Sequence, residues 1–202
     1  MRKTFFFVIL AVSFFACTNN NKNAQSDNKQ EPAEAATATI DVPENATVLN
    51  QSADGNQVLF VDYTDEDRAF NNETDPELLE IHNTLFMLDK KANSVKTILT
   101  TSDNLPEQCF SCDIQEAWFS KDERRVFIVN NPSTGTYFNV LYYDLKSDKL
   151  VYLSDGEGLE EGDDGLYYVE GAKDYDIEEG AFWFTKIVTP DGTMVGGRDT
   201  IF

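Results

Sequence analysis

The chain has 202 residues, 36 acidic against 16 basic, and a formal net charge of −20. That excess of carboxylates repels phosphate backbones and anionic lipid surfaces, which excludes nucleic acid as a partner class. One histidine and three cysteines leave little material for histidine-based catalysis or a thiolate-rich metal centre.

In chain order, Met1-Arg2-Lys3-Thr4 is a short basic start, and Phe5 to Ala16 (FFFVILAVSFFA) is an apolar run. As a helix that run reaches about 18 Å, short of a hydrocarbon core of roughly 30 Å. With small Ala16 at its end, the segment reads as an export signal over residues 1–16. Phe14-Phe15-Ala16-Cys17 resembles the lipobox of bacterial lipoproteins. The resemblance implies cleavage before Cys17, acylation of its thiol and a membrane-anchored protein of the cell envelope. Phe14 and Phe15 stand where that family has Leu and a small residue. Thr18, where Asp would retain such a protein, points to the outer membrane. Ordinary cleavage with a secreted product and an uncleaved anchor are the alternatives.

Residues 17–40 carry the candidate lipid site and then a polar stretch, TNNNKNAQSDNKQEPAEAATAT, without aromatic or large aliphatic side chains. It cannot bury enough surface to offset the entropy of ordering, so it is expected to act as a flexible tether with a reach of about 25 Å.

Residues 41–202 form one expected all-β domain, long enough for a proper core. β-branched and aromatic runs broken by Gly, Asn, Asp and Ser predict strands at Thr47–Asn50, Gln57–Tyr63, Asn83–Asp89, Ser94–Thr100, Ile114–Ser120, Arg124–Asn130, Tyr137–Leu145, Lys149–Leu153, Leu166–Val169, Ala181–Val188 and Thr193–Phe202. Thr189-Pro190-Asp191-Gly192 is expected to close the last hairpin. The helical signal is Thr74-Asp75-Pro76-Glu77, spaced as a capping box with Pro in the first turn, and good for a turn or two.

An internal repeat organises the strands. "TLFMLDKKANSVKTILT" (84–100) and "NVLYYDLKSDKLVYLS" (139–154) share one layout, and each follows a strand pair joined by a polar turn of the Ser-x-Asp type. The layout resembles the blades of β-propellers, although Phe119-Ser120-Lys121-Asp122-Glu123 lacks that family's Pro and Gly. It implies two to three four-strand units in an antiparallel meander, as a sandwich, a small barrel or a partial propeller. A lipid-facing barrel fits poorly, because strands such as Ala181-Phe182-Trp183-Phe184 do not alternate.

Cys109-Phe110-Ser111-Cys112 holds the two cysteines left once Cys17 is assigned to the anchor. In an oxidising compartment the expected state is a loop disulfide. Thiol-redox activity, half of a metal site and unpaired thiols are the alternatives; a redox pair would need a helix start that the sequence does not show. Residues 155–180 hold eleven acidic side chains against one Lys. The plain reading is a solvated loop. The sharper one is a Ca²⁺ site from Asp155, Glu157, Asp163 and Asp164, oxygen donors interspersed with Gly but out of EF-hand order. No nucleophile elbow or phosphate-binding Gly loop is present, and His82 reads as structural. Tyr142-Tyr143 and Tyr167-Tyr168 project to opposite faces of their strands, so one member of each pair is expected to be exposed.

Together these features favour an envelope-anchored lipoprotein whose non-enzymatic β domain binds an envelope protein or a glycan. The rival readings are a carboxylate-dependent, glycosidase-like hydrolase and a thiol-redox protein using Cys109 and Cys112.

Overall fold

The computed structural model describes residues 39–73, 81–100, 112–131, 138–173 and 182–201. They belong to one compact unit, Ala38–Phe202. The first sheet contains β1 (Thr47–Gln51), β2 (Gln57–Asp62), β3 (Thr84–Asp89) and β4 (Ser94–Leu99), with helix α1 (Asp65–Glu73) between β2 and β3. The second contains β5 (Asp113–Phe119), β6 (Arg125–Asn131), β7 (Asn139–Asp144) and β8 (Lys149–Asp155). The third contains β9 (Gly158–Glu161), β10 (Tyr167–Lys173), β11 (Phe182–Val188) and β12 (Met194–Ile201). Each is an antiparallel meander in chain order, so the fold is all-β, with three blade-like units.

Turn chemistry fixes each first hairpin. In the first sheet the Ser52 hydroxyl donates to Asp54 Oδ1 at 2.9 Å, Asn56 N–H donates to the same oxygen, and Gly55 takes φ +69°. The second sheet repeats this with Ser120 and Asp122 at 2.7 Å, and Glu123 takes the positive φ. In the third, Asp164 accepts from Leu166 N–H, and Gly165 supplies the positive φ. At the last hairpin Thr189 N–H donates to Thr193 O, and Gly192 has φ +84°.

The cores lie between sheets. Leu59, Leu85, Met87, Ile98 and Leu99 of the first sheet pack on Ile114, Ala117, Val126, Ile128, Leu141 and Tyr143 of the second. The other face of the second sheet, with Phe127, Val140, Tyr142 and Leu153, packs on Tyr167, Val169 and Val188 of the third. The middle sheet is thus covered on both faces, which explains why β6 and β7 are continuous apolar runs instead of alternating ones. It also buries both Tyr142 (7% exposed) and Tyr143 (9%), correcting the expectation that one of them faces solvent.

Two further expectations change. The helix forms earlier than the expected helical signal, as α1 over residues 65–73: Thr64 accepts Asp67 N–H, and Asp67 accepts from Thr64 N–H at 2.8 Å and from the Thr84 hydroxyl at 2.8 Å. This is a capping arrangement ten residues before the expected one, whose residues 74–80 lie outside those described. β9 lies within the stretch read as a solvated acidic loop, and β10 carries the expected Leu166–Val169 strand on to Lys173.

Candidate functional site

Consecutive sheets are laced at corresponding positions. Ala53 N–H, in the first hairpin turn of the first sheet, donates to Glu123 Oε1 of the second at 2.6 Å. Lys121 N–H, one sheet on, donates to Glu161 Oε2 of the third at 2.7 Å, and its ammonium reaches Glu161 O at 2.9 Å. The outer strands are tied as well. Lys96 of β4 pairs with Asp148 in the β7–β8 turn, which also accepts from Tyr143 OH. Over β8 sits the last hairpin turn, where a Cβ on Gly192 would lie 2.6 Å from Tyr152 O. Both patterns reach the third sheet and go no further among the described residues. Its face away from the second sheet is therefore the open one.

Register defines what that face presents. Val169 and Tyr167 point into the core, so Tyr168, Glu170 and Ala172 point outward. Opposite them on β11 stand Ile187, Thr185 and Trp183; opposite Ile187 and Thr185 on β12 stand Gly196 and Arg198. Trp183 is 46% exposed and Tyr168 half-buried. Tyr168, Thr185, Ile187, Gly197 and Arg198 line a groove of about 310 Å³. A second groove, about 440 Å³, runs along β11 and β12 past Lys186, Met194, Gly196 and Arg198. Tyr168 OH donates to Asp164 Oδ2 at 2.8 Å, which holds the ring at the groove's edge and pushes its hydroxyl pKa up. A ring plane, aliphatic side chains and one guanidinium suit recognition of a partner surface or a sugar ring.

Behind this face Arg125 braces the junction of the second and third sheets. Its guanidinium lies over the Tyr142 ring at 5.1 Å and the Tyr167 ring at 6.0 Å, and donates to Tyr167 OH. Burial pushes both tyrosine hydroxyls up, and Arg125 opposes it.

The other predicted residues are dispersed. Asp155 and Glu157 precede β9 and Asp163 and Asp164 follow it, so the strand separates the two pairs of the expected Ca²⁺ set. Asp155 instead accepts from Asn139 Nδ2 at 3.1 Å and Tyr152 OH at 2.5 Å. Among the described residues no group of three or more His, Cys, Asp or Glu is placed to hold a metal. Cys112 is fully buried between the first two sheets; Cys109 and Cys17 lie outside the described residues. His82 is buried, stacked on Phe70 at 3.4 Å, and its backbone is held at both ends by the Asn71 amide. Asp113 is the one described carboxyl pushed up by burial. Sequence reasoning missed Arg198 and the Gly196-Gly197 pair; a double glycine inside a strand run is the signal that marks close approach of another chain or ligand.

No protein-family model matches the sequence, and no curated protein matches it significantly. Among solved structures the chain is similar to the β-propeller domain of the Trilobed protease from Pyrococcus furiosus, with 16% identity, a TM-score of 0.51, and coverage of 78% of this chain and 43% of that one. Acylaminoacyl peptidase from Pyrococcus horikoshii gives 12% identity, a TM-score of 0.49, and coverage of 77% and 25%. TolB from Acinetobacter baumannii gives 11%, 0.29, and coverage of 78% and 46%. The chain spans less than half the length of each of these structures. At these identities the likeness concerns fold alone, and it agrees with the strand order: the three sheets are β-propeller-like blades.

Proposed function

We propose that this protein is an envelope lipoprotein, anchored through acylated Cys17 and carrying a non-enzymatic blade domain that binds an envelope protein or a glycan through its third sheet. The observation that carries the binding role is the open outer face of that sheet, where Trp183, Tyr168 and Ile187 are presented beside Arg198. The first sheet's outer face contrasts with it, since Val42 and Ala46 cover Val58, Phe60 and Leu88 there.

A photo-crosslinking amino acid at position 183 of the full chain, irradiated in the native envelope, is expected to yield a discrete adduct. Tyr168→Ala should weaken that adduct severalfold. Absence of any adduct beyond that from a probe at exposed Val95 of β4 would overturn the reading. For the anchor, Cys17→Ala is expected to release the protein from membranes; retention after a carbonate wash would refute acylation as the means of attachment.

A further inference from the structure

The third sheet ends in a strand edge unlike those of its neighbours. β4, β8 and β12 each end their sheet with one described strand partner, but β4 carries Lys96, paired with Asp148, and β8 carries Lys149 and lies under the turn at Gly192. A bare edge exposes a row of N–H and C=O groups, and proteins usually blunt such an edge with Lys or Pro. β12, MVGGRDTI, has neither; its charges are confined to Arg198 and Asp199, and its one irregularity lies at Val195, before the glycines.

Its side chains leave the row accessible. Gly196 and Gly197 carry none, and a Cβ on Gly196 would meet only Ile187 at ordinary contact distance. Met194 and Val195 are 66% and 55% exposed, an apolar stretch beside the glycines. Arg198 lines both grooves, and the described ion pairs all lie elsewhere, in a chain with 36 carboxylate side chains. An unpaired guanidinium beside an unpaired edge calls for a carboxylate at one place along an added strand.

We infer that β12 takes up an extended segment of a partner protein by strand addition, with an apolar side chain beside Val195 and a single carboxylate beside Arg198. This rests on the binding role proposed above and names its partner chemistry. Main-chain hydrogen bonds to the outward-facing alternate residues of β12, one of the two glycines among them, supply affinity, while Arg198 and Val195 supply register. The carboxylate is isolated on its strand, because the acidic chain repels an acidic tract.

The test uses the full chain in detergent micelles and a fluorescein-labelled strand peptide of alternating Val and Thr with one central Glu, followed by anisotropy. Saturable binding is expected. N-methylation of alternate residues along one edge of the peptide, which removes every N–H donor on that edge and half of the peptide's total, should weaken binding about tenfold or more, whereas methylation along the other edge should not. Replacing the Glu by Lys should also weaken it, and Arg198→Glu should reverse that preference without altering far-ultraviolet circular dichroism. Absence of saturable binding, equal binding of both N-methylated peptides, or an unchanged Glu-to-Lys ratio in the Arg198 variant would each overturn the inference. If the position 183 adduct forms and excess peptide fails to compete with it, the binding role stands and strand addition falls. Loss of both adduct and peptide binding removes both.

Discussion

Asp113 opens β5 at 8% exposure, with its own N–H donating to Asn130 Oδ1 at 2.9 Å and its carboxyl accepting weakly from Asn131 at 3.4 Å. Burial is the largest influence on it and disfavours the charged form; the hydrogen bonds from Gln115 and Asn131 only partly offset that. A carboxyl raised in the folded state contributes stability below its unfolded pKa and loses it as the pH rises through the folded value. Asp113→Asn keeps an acceptor and removes the charge, so it is expected to raise the melting temperature at neutral pH and to leave it unchanged in acid, below the ordinary carboxylate range. Equal shifts at both pH values would mean that the side chain acts through shape alone. Nothing in the sequence marked Asp113, because its environment is assembled by Asn130 and Asn131 from the next strand. His82 shows the opposite case. A lone histidine at a strand start read as structural, and Phe70 and Asn71 hold it so.

At the scale of elements, hairpins with side-chain-encoded turns were legible and elements held by tertiary contact were not. Ser52-x-Asp54 and Ser120-x-Asp122 write their own geometry, so the strands flanking them lie where propensity put them. β9, GLEE, has no β-branched or aromatic residue; it is a strand because it pairs with β10. α1 escaped detection because DEDRAFNNE has no apolar stripe, and its start is set by the buried Thr64–Asp67–Thr84 contacts. The turn serine gives a direct check. Ser120 is 2% exposed, donates to Asp122 and accepts Arg125 N–H at 3.0 Å. Ser120→Ala is expected to cost about 1 kcal/mol in urea unfolding with an unchanged denaturant slope. An unaltered midpoint would show that Glu123's positive φ and Ser120's own backbone bonds suffice to hold the turn.

Across the whole molecule, stability runs through two inter-sheet cores in series, and the outer sheets each depend on the middle one. Phe127 marks the junction with the third sheet, its ring 5.2 Å from that of Tyr167 and edge-on to it. Close approach there is permitted by glycine. A Cβ on Gly171 would come 2.7 Å from the Phe184 ring and 3.1 Å from the Gly156 Cα, and one on Gly156 would come 3.0 Å from the Glu170 carbonyl. The backbone cannot yield as a flexible side chain would, so Gly171→Ala must push Phe184 aside or part the sheets, at about 1–3 kcal/mol. In a linear array a weakened interface is felt by the terminal unit more than by the rest. Native-state hydrogen exchange is therefore expected to speed up across β9 to β12 in this variant while β2, β3, β6 and β7 keep their protection. Uniform acceleration over all three sheets would mean that they open as a single cooperative unit. The face proposed to bind would then be as stable as the middle of the domain, and a partner on β12 would protect the first sheet as strongly as the third.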